Sequence, residues 1–318
     1  MSLDYTFTPG ETVFSNLKKI SFEQSVMEEK RVCELSELAY LFSKATLELI
    51  SGGMEVSESF SILSDSVFGQ EEEDIHPHCL AENEEILKHH MGVLKSFDKI
   101  AFCRLVSEKM KNADRELCEK DFLPEKATPE TFVYVKNGFA DEAYDVFSQE
   151  FEEPRVRYSK DFKEALSMLS SSDTGYCLLP LEDRGVRIRS VCELIFGGDF
   201  KICSVTPVFG YDGTADMKYC LVSKSFLLSD FTEDDDRYLE IRISGDADEE
   251  LSELLLAAKG FNTDLYRINS VNFSYGGEER SYYSLIFRKT GKSFTDILTY
   301  LTLFTKETTT LGIYKNLE

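Results

Sequence analysis

Residues 174–191 read TGYCLLPLEDRGVRIRSV, an apolar run that passes directly into two acids and three arginines. In an extended segment Arg187 and Arg189 fall on one face, because side chains alternate along a strand. With Arg155, Arg157 and Arg184 they are the main local concentration of positive charge in a chain of formal net charge −23. Such a group suits a small anionic ligand. The same arginines are equally placed to pair with Glu182, Asp183 and Glu193 or with a helical domain, and the sequence leaves both readings open. A second constellation gathers His76, His78, Cys79, His89 and His90. The ligand types suit zinc or nickel, but the spacing matches no standard site. We read it as a loop and a solvated helix face, with no metal. The acid runs GQEEEDI and TEDDDR lack the alternating oxygen ligands and turn glycine of a calcium loop and read as solvated linkers.

Around these groups the totals are ordinary. The chain has 318 residues, enough for two or three domains, with 42% apolar and 29% charged residues. The strong negative charge opposes nucleic acid and anionic membrane as partners. No apolar run has the length of a membrane span, and the start MSLDYTFTPG lacks a basic region followed by an apolar core, so a cytoplasmic location is expected. None of the eight cysteines forms a CxxC pair. They sit in apolar segments and read as reduced core thiols.

Three segments must position the charged groups. Residues 1–125 read as a helical domain. Ser21-Phe22-Glu23-Gln24 has the form of a capping box, Leu35, Leu38, Phe42, Ala45 and Leu49 recur at helical spacing, and Gly52-Gly53 stops that helix. A short helix fits VSESFSILSDSVFG, and a long one fits about 81–118, so three antiparallel helices are expected. After the linker LPEKATPET, residues 130–228 alternate strand and helix, with Asp161 as a helix cap, which implies a parallel, doubly wound sheet. Residues 236–318 read β-α-β-β-α-β, the ferredoxin-like order.

This order of elements, with its turn motifs, resembles prephenate dehydratase carrying a C-terminal ACT regulatory domain. The family's Gly-Thr-Phe-Ser motif is matched at YVKNGFADEA by Gly138, Phe139 and Ala143. Its Pro-Ile-Glu-Asn-Ser is matched by Pro180, Leu181 and Glu182, with Asp183 for Asn and Arg184 for Ser. Met217, Lys218 and Tyr219 stand for its Thr-Arg-Phe. In the tail, LLLAAKGFNTDLYRINSVN resembles the family's helix, turn and effector motif, and TTTLGIYKN its closing Leu-Gly-Ser-Tyr-Pro. The resemblance spans about residues 131–316 and implies the fold class: α/β plus α+β, with an N-terminal helical domain, a shortened periplasmic-binding-protein-like lobe and a ferredoxin-like ACT domain.

By resemblance, Lys218, Thr214 and Glu182 are the candidate catalytic groups. Asn137, Gly138, Asp183, Arg184 and Tyr219 would line a ligand site, and Gly260, Phe261, Asn262, Asn269 and Ser270 an effector site. The departures point away from turnover. Met217 replaces the family's hydroxyl donor and has no proton to give as general acid. Lys218 keeps a charge but loses the guanidinium fork. The family's catalytic region is also much longer and has a second lobe. In the effector motif only Ser270 survives, and Val271 replaces the arginine that would meet a carboxylate. The resulting expectation is a degenerate, small-ligand-binding or regulatory protein of phenylalanine metabolism, binding an anionic or amino-acid ligand as a homodimer without a cofactor. The alternative is an active, divergent prephenate dehydratase, or a bifunctional enzyme with chorismate mutase in the helical domain. Against the mutase, the first helix offers Lys30, Arg31 and Lys44 among many acids, with no basic cluster facing one way.

Overall fold

The computed structural model describes residues 9–68, 94–171, 173–209, 213, 215–228, 235–275 and 278–315. The chain divides into two compact units, Met1–Met54 with Asp65–Glu116, and Glu55–Ser64 with Leu117–Glu318. Thr214 and the histidine group from His76 to His90, Cys79 included, lie outside the described residues.

In the first unit, α1 (Pro9–Ser51) packs on α3 (Ser96–Asn112). Leu38, Phe42, Ala45 and Leu49 from α1 meet Phe102, Val106 and Met110 in a buried seam, with the Phe42 and Phe102 rings edge to face at 5.6 Å. The helix begins well before the capping box read at Ser21. No glycine or proline interrupts residues 11–51, so nothing forces a start there. It ends where expected, at Gly53 with φ 97°. The long helix expected over 81–118 stops earlier, at Asn112, where Asp114 turns left-handed at φ 60°. The short helix α2 (Val56–Phe68) gives its first turns to the second unit, where Ser64 Oγ donates to Leu303 O at 2.8 Å.

The second unit holds two sheets. The first contains β1 (Thr131–Val135), β2 (Arg155–Ser159), β3 (Tyr176–Asp183), β4 (Val186–Arg187), β5 (Lys201–Phe209) and β6 (Ala215–Ser223), in the order β2-β1-β3-β6-β5 with β4 paired to β3. Strand β1 is parallel to β2 and β3, but β6 is antiparallel to both β3 and β5. The sheet is therefore mixed, not wholly parallel. Only five residues, 210–214, lie between β5 and β6, too few for the crossover that would return a strand parallel to its neighbour. Alternate side chains sort to opposite faces. Phe132, Tyr134, Leu178, Tyr219 and Leu221 pack under α4 (Gly138–Phe147). Val133, Cys177, Leu179, Cys220 and Val222 pack under α5 (Phe162–Met168) and α6 (Arg189–Phe196). The Asp161 cap forms as expected, accepting from Glu164 N at 2.8 Å.

The second sheet runs β7 (Asp236–Ser244), α7 (Asp248–Gly260), β8 (Asp264–Tyr275), β9 (Glu278–Thr290), α8 (Thr295–Phe304) and β10 (Thr308–Tyr314), with strand order β10-β7-β9-β8 and every pair antiparallel. Leu239, Ile241 and Ile243 alternate along β7 with Tyr238 and Glu240. Tyr238, Val271, Ile286, Leu311 and Tyr314 share one core with Leu181, Val191, Ile195, Phe196 and Ile202 of the first sheet. The two sheets are thus joined by a common apolar seam.

The cysteines divide. Cys103, Cys177, Cys192, Cys203 and Cys220 are buried thiols, but Cys33 and Cys118 are exposed. Burial pushes Cys203 up to about 12, and it pushes Cys192 up to about 11 against the pull of Arg187, so both stay protonated near neutrality.

Candidate functional site

Strand β1 leads into α4 toward β2, and β3 leads the chain the other way across the sheet. Their carboxyl ends therefore flank a point where connections diverge, which is where open α/β sheets place ligands. Asn137-Gly138 follow β1, Asp183-Arg184 end β3, and Lys218-Tyr219 enter β6 beside them. The expected ligand-site residues share this end of the sheet. Asn137 caps α4, its Oδ1 accepting from Ala140 N at 2.9 Å, and Tyr219 OH donates to the same oxygen at 3.4 Å. Burial raises the Tyr219 pKa, with the Asn137 contact opposing it.

Glu182 does not join them. The register between β3 and β6 shifts between Pro180 and Glu182, leaving Leu181 as an extra residue. Pro180 lies opposite Tyr219, on the α4 face, and Glu182 lies opposite Lys218. Directly opposed residues share a face. A strict alternation would have put Glu182 on the Asn137 side, and the bulge turns it to the other face. Lys218, half-buried, follows it there, so the two candidate catalytic groups among the described residues share a face that Asn137 and Tyr219 do not.

On that face Glu182 meets arginines. It is 4% exposed. Its Oε1 accepts from Arg267 Nη1 at 2.8 Å, and Arg187 Nε stands 3.2 Å away, paired in charge though not aligned as a hydrogen bond. Arg187 also donates from Nη2 to Glu240 Oε2 at 3.0 Å. Glu240 is fully buried and takes Ser284 Oγ at 2.6 Å on Oε1 and Tyr314 OH at 2.8 Å on Oε2. Arg267 Nη2 closes the group by donating to Gly185 O. Burial works against the Arg187 charge, but Glu240 foremost, then Tyr314, Cys192 and Glu182, hold its pKa above the ordinary guanidinium value. Burial and the Glu240 charge together raise the Tyr314 phenol.

The turn PLEDRG now has a structural account. Asp183 and Val186 pair across a hairpin whose two central residues, Arg184 and Gly185, have φ of 47° and 76°. That is the two-residue turn with both centres left-handed, for which glycine is suited and arginine is not. It returns Arg187 opposite Glu182. Arg189, exposed, bonds Glu193 at 2.8 Å instead, so both arginines follow the ion-pair reading.

The effector candidates fall into two groups. Gly260, Phe261 and Asn262 end α7, with Phe261 buried and Asn262 left-handed at φ 53°. Asn269 and Ser270 lie further along β8, and the five steps of strand from Asp264 to Asn269 measure about 17 Å. Asn269 Nδ2 is buried with no hydrogen-bond partner among the described residues. Sequence reasoning missed Glu240, Arg267, Ser284 and Tyr314. A glutamate at an inward position of YLEIRIS was the available signal, since a buried acid requires a cation.

Compared with solved structures, the described fold is similar to a prephenate dehydratase from Streptococcus mutans, at 13% identity and TM-score 0.47, covering 59% of this chain and 99% of that one. A prephenate dehydratase from Arthrobacter aurescens in complex with L-Phe matches at 13% identity and TM-score 0.43, over 58% of this chain and 89% of that one. The quorum-quenching acylase GqqA matches at 12% identity and TM-score 0.42, over 58% and 95%. No family model and no curated protein matches the chain. Among the described residues no helix is long and apolar enough to cross a membrane, and no group of three or more His, Cys, Asp or Glu is placed to hold a metal ion.

Proposed function

We propose that this chain is a catalytically degenerate relative of prephenate dehydratase that binds a small anionic or amino-acid ligand and acts as a regulatory protein in aromatic amino-acid metabolism. The observation that carries this reading is the capture of Glu182. A carboxylate turned from Asn137 and Tyr219, and held by Arg187 and Arg267, serves cohesion between the sheets. Met217, opposite Asp183, adds no proton donor at that end. Incubation of the purified protein with prephenate above neutral pH, with phenylpyruvate followed by absorbance, is expected to give no rate above the uncatalysed one. Turnover that Lys218→Ala abolishes would overturn this reading in favour of an active dehydratase.

The second sheet has the order 4-1-3-2 of a ferredoxin-like unit, which supports assigning it as an ACT-like module. Its edge strand β8 exposes Leu265, Tyr266 and Ile268. A long apolar edge is a template for another strand. We assign it to a homodimer, in which antiparallel pairing of two β8 strands would bring Asn262 of one copy toward Asn269 of the other. Light scattering after gel filtration is expected to give twice 36.3 kDa, and Ile268→Lys a single chain. A wild-type monomer at tens of micromolar would refute the assignment.

A further inference from the structure

At the opposite end of the first sheet from Asn137, a pocket of about 340 Å³ opens between the α6–β5 turn and the second sheet. The ends are opposite because Lys201 pairs with Ser223 at the far end of β6 from Met217. Phe196 and Leu311, both buried, give the pocket an apolar base, and Tyr282 supplies an aromatic wall. Its charged lining is three cations, Lys201, Arg242 and Arg280, against one acid, Asp199. In a chain of net charge −23, that excess is a local inversion of sign.

Two of the three cations, Arg242 and Lys201, are held in place beforehand. Arg242 donates to Phe196 O and, at 3.0 Å, to Thr309 Oγ1, and its guanidinium carbon lies 5.0 Å from the centre of the Tyr282 ring. A guanidinium has five donor hydrogens, so those two bonds fix its plane without consuming it. Lys201 is nearly buried, 12% exposed at the side chain, and its ammonium bonds Asp199 Oδ1 at 2.7 Å. Asp199 is itself 84% exposed there and reaches in from solvent as a carboxylate. The hydrogen bond from Lys201 holds the Asp199 pKa below its usual value, and the charges of Lys201, Lys224 and Arg242 act in the same direction.

We infer that this pocket is a binding site for a small organic anion, a carboxylate or phosphate monoester on a ring or short apolar body, and that Asp199 occupies the anion position until the ligand displaces it. The volume is at the lower end of the ~300–1,000 Å³ typical of ligand pockets. The anion would bridge Lys201, Arg242 and Arg280, and its ring would lie against Tyr282. The site is independent of the Asn137 end of the sheet and of any turnover there.

Phenyl phosphate titrated calorimetrically into the full chain at low salt tests this, with inorganic phosphate as the second probe. The expected result is saturable one-to-one binding of phenyl phosphate, weaker binding of inorganic phosphate, and an affinity that falls as sodium chloride is added. Lys201→Met and Arg280→Ala each weaken binding about tenfold, as loss of a charged hydrogen-bond donor does. Asp199→Asn tightens it about threefold, the scale of an exposed ion pair removed as competitor. If Lys201→Met unfolds the chain, Arg280→Ala still decides, because Arg280 is exposed. The proposal is overturned if phenyl phosphate shows no saturable heat up to about 10 mM, or if Arg280→Ala and Asp199→Asn leave its affinity unchanged. Equal affinity for both probes would overturn the organic class of the ligand.

Discussion

Arg187→Met is expected to destabilise the second unit by about 3–5 kcal/mol, the cost of stripping one partner from a buried ion cluster. The side chain is 8% exposed and stands against two carboxylates, Glu182 and Glu240. Glu240 would keep Ser284 and Tyr314 as donors but lose the cation that pairs with it, Arg187. Two donors do not neutralise a buried charge. The measurement is urea unfolding followed by circular dichroism. Arg189→Met, two residues away, is the control: its i,i+4 pair with Glu193 is exposed, and it should cost no more than about 0.5 kcal/mol. Adding Glu240→Leu to Arg187→Met should restore a large part of the loss, because the unpaired charge goes with it, though Ser284 and Tyr314 then lack their acceptor. An Arg187→Met effect as small as that of Arg189→Met would mean the cluster does not bind the sheets together.

The contrast between these two arginines marks how far the sequence could be read. Their charge pairing was among its open readings, and both proved to pair. That one is buried and the other exposed depends on the Arg184-Gly185 turn and on the Leu181 bulge, and neither has a local signature that fixes side-chain direction. Strand and helix order came through well, because alternation and helical spacing report which side of an element is apolar. Asp161 was legible as a cap because its carboxylate acts on a group three residues away. The Glu182–Arg267 and Arg187–Glu240 bonds span 85 and 53 residues, and no short-range pattern encodes that pairing. The mixed direction of the first sheet was readable and missed: the gap from β5 to β6 is too short for a crossover. Motif order suggested that Glu182 would face a ligand. One inserted residue in the ladder sends it to the other sheet.

Gly312→Ala tests the other tie between the sheets and is expected to cost at least about 3 kcal/mol, the upper range for overpacking a tight interior. Gly312 follows a register break in β10, where the strand bends against β5. A Cβ at this position would stand 1.9 Å from Ile202 O and 2.9 Å from Ile202 C. Both atoms are backbone, so no rotamer change can make room, and the strands must part. Parting them would loosen Leu311 and Tyr314 from the shared core and with them the hydroxyl that Tyr314 gives Glu240. The defect should therefore couple to the ion cluster. Gly312→Ala combined with Arg187→Met should cost less than the sum of the two single changes, since each relieves part of what the other breaks. Strict additivity would mean the apolar seam and the ion cluster hold the sheets independently. A melting temperature unchanged by Gly312→Ala alone would mean that β10 and β5 are not in backbone contact.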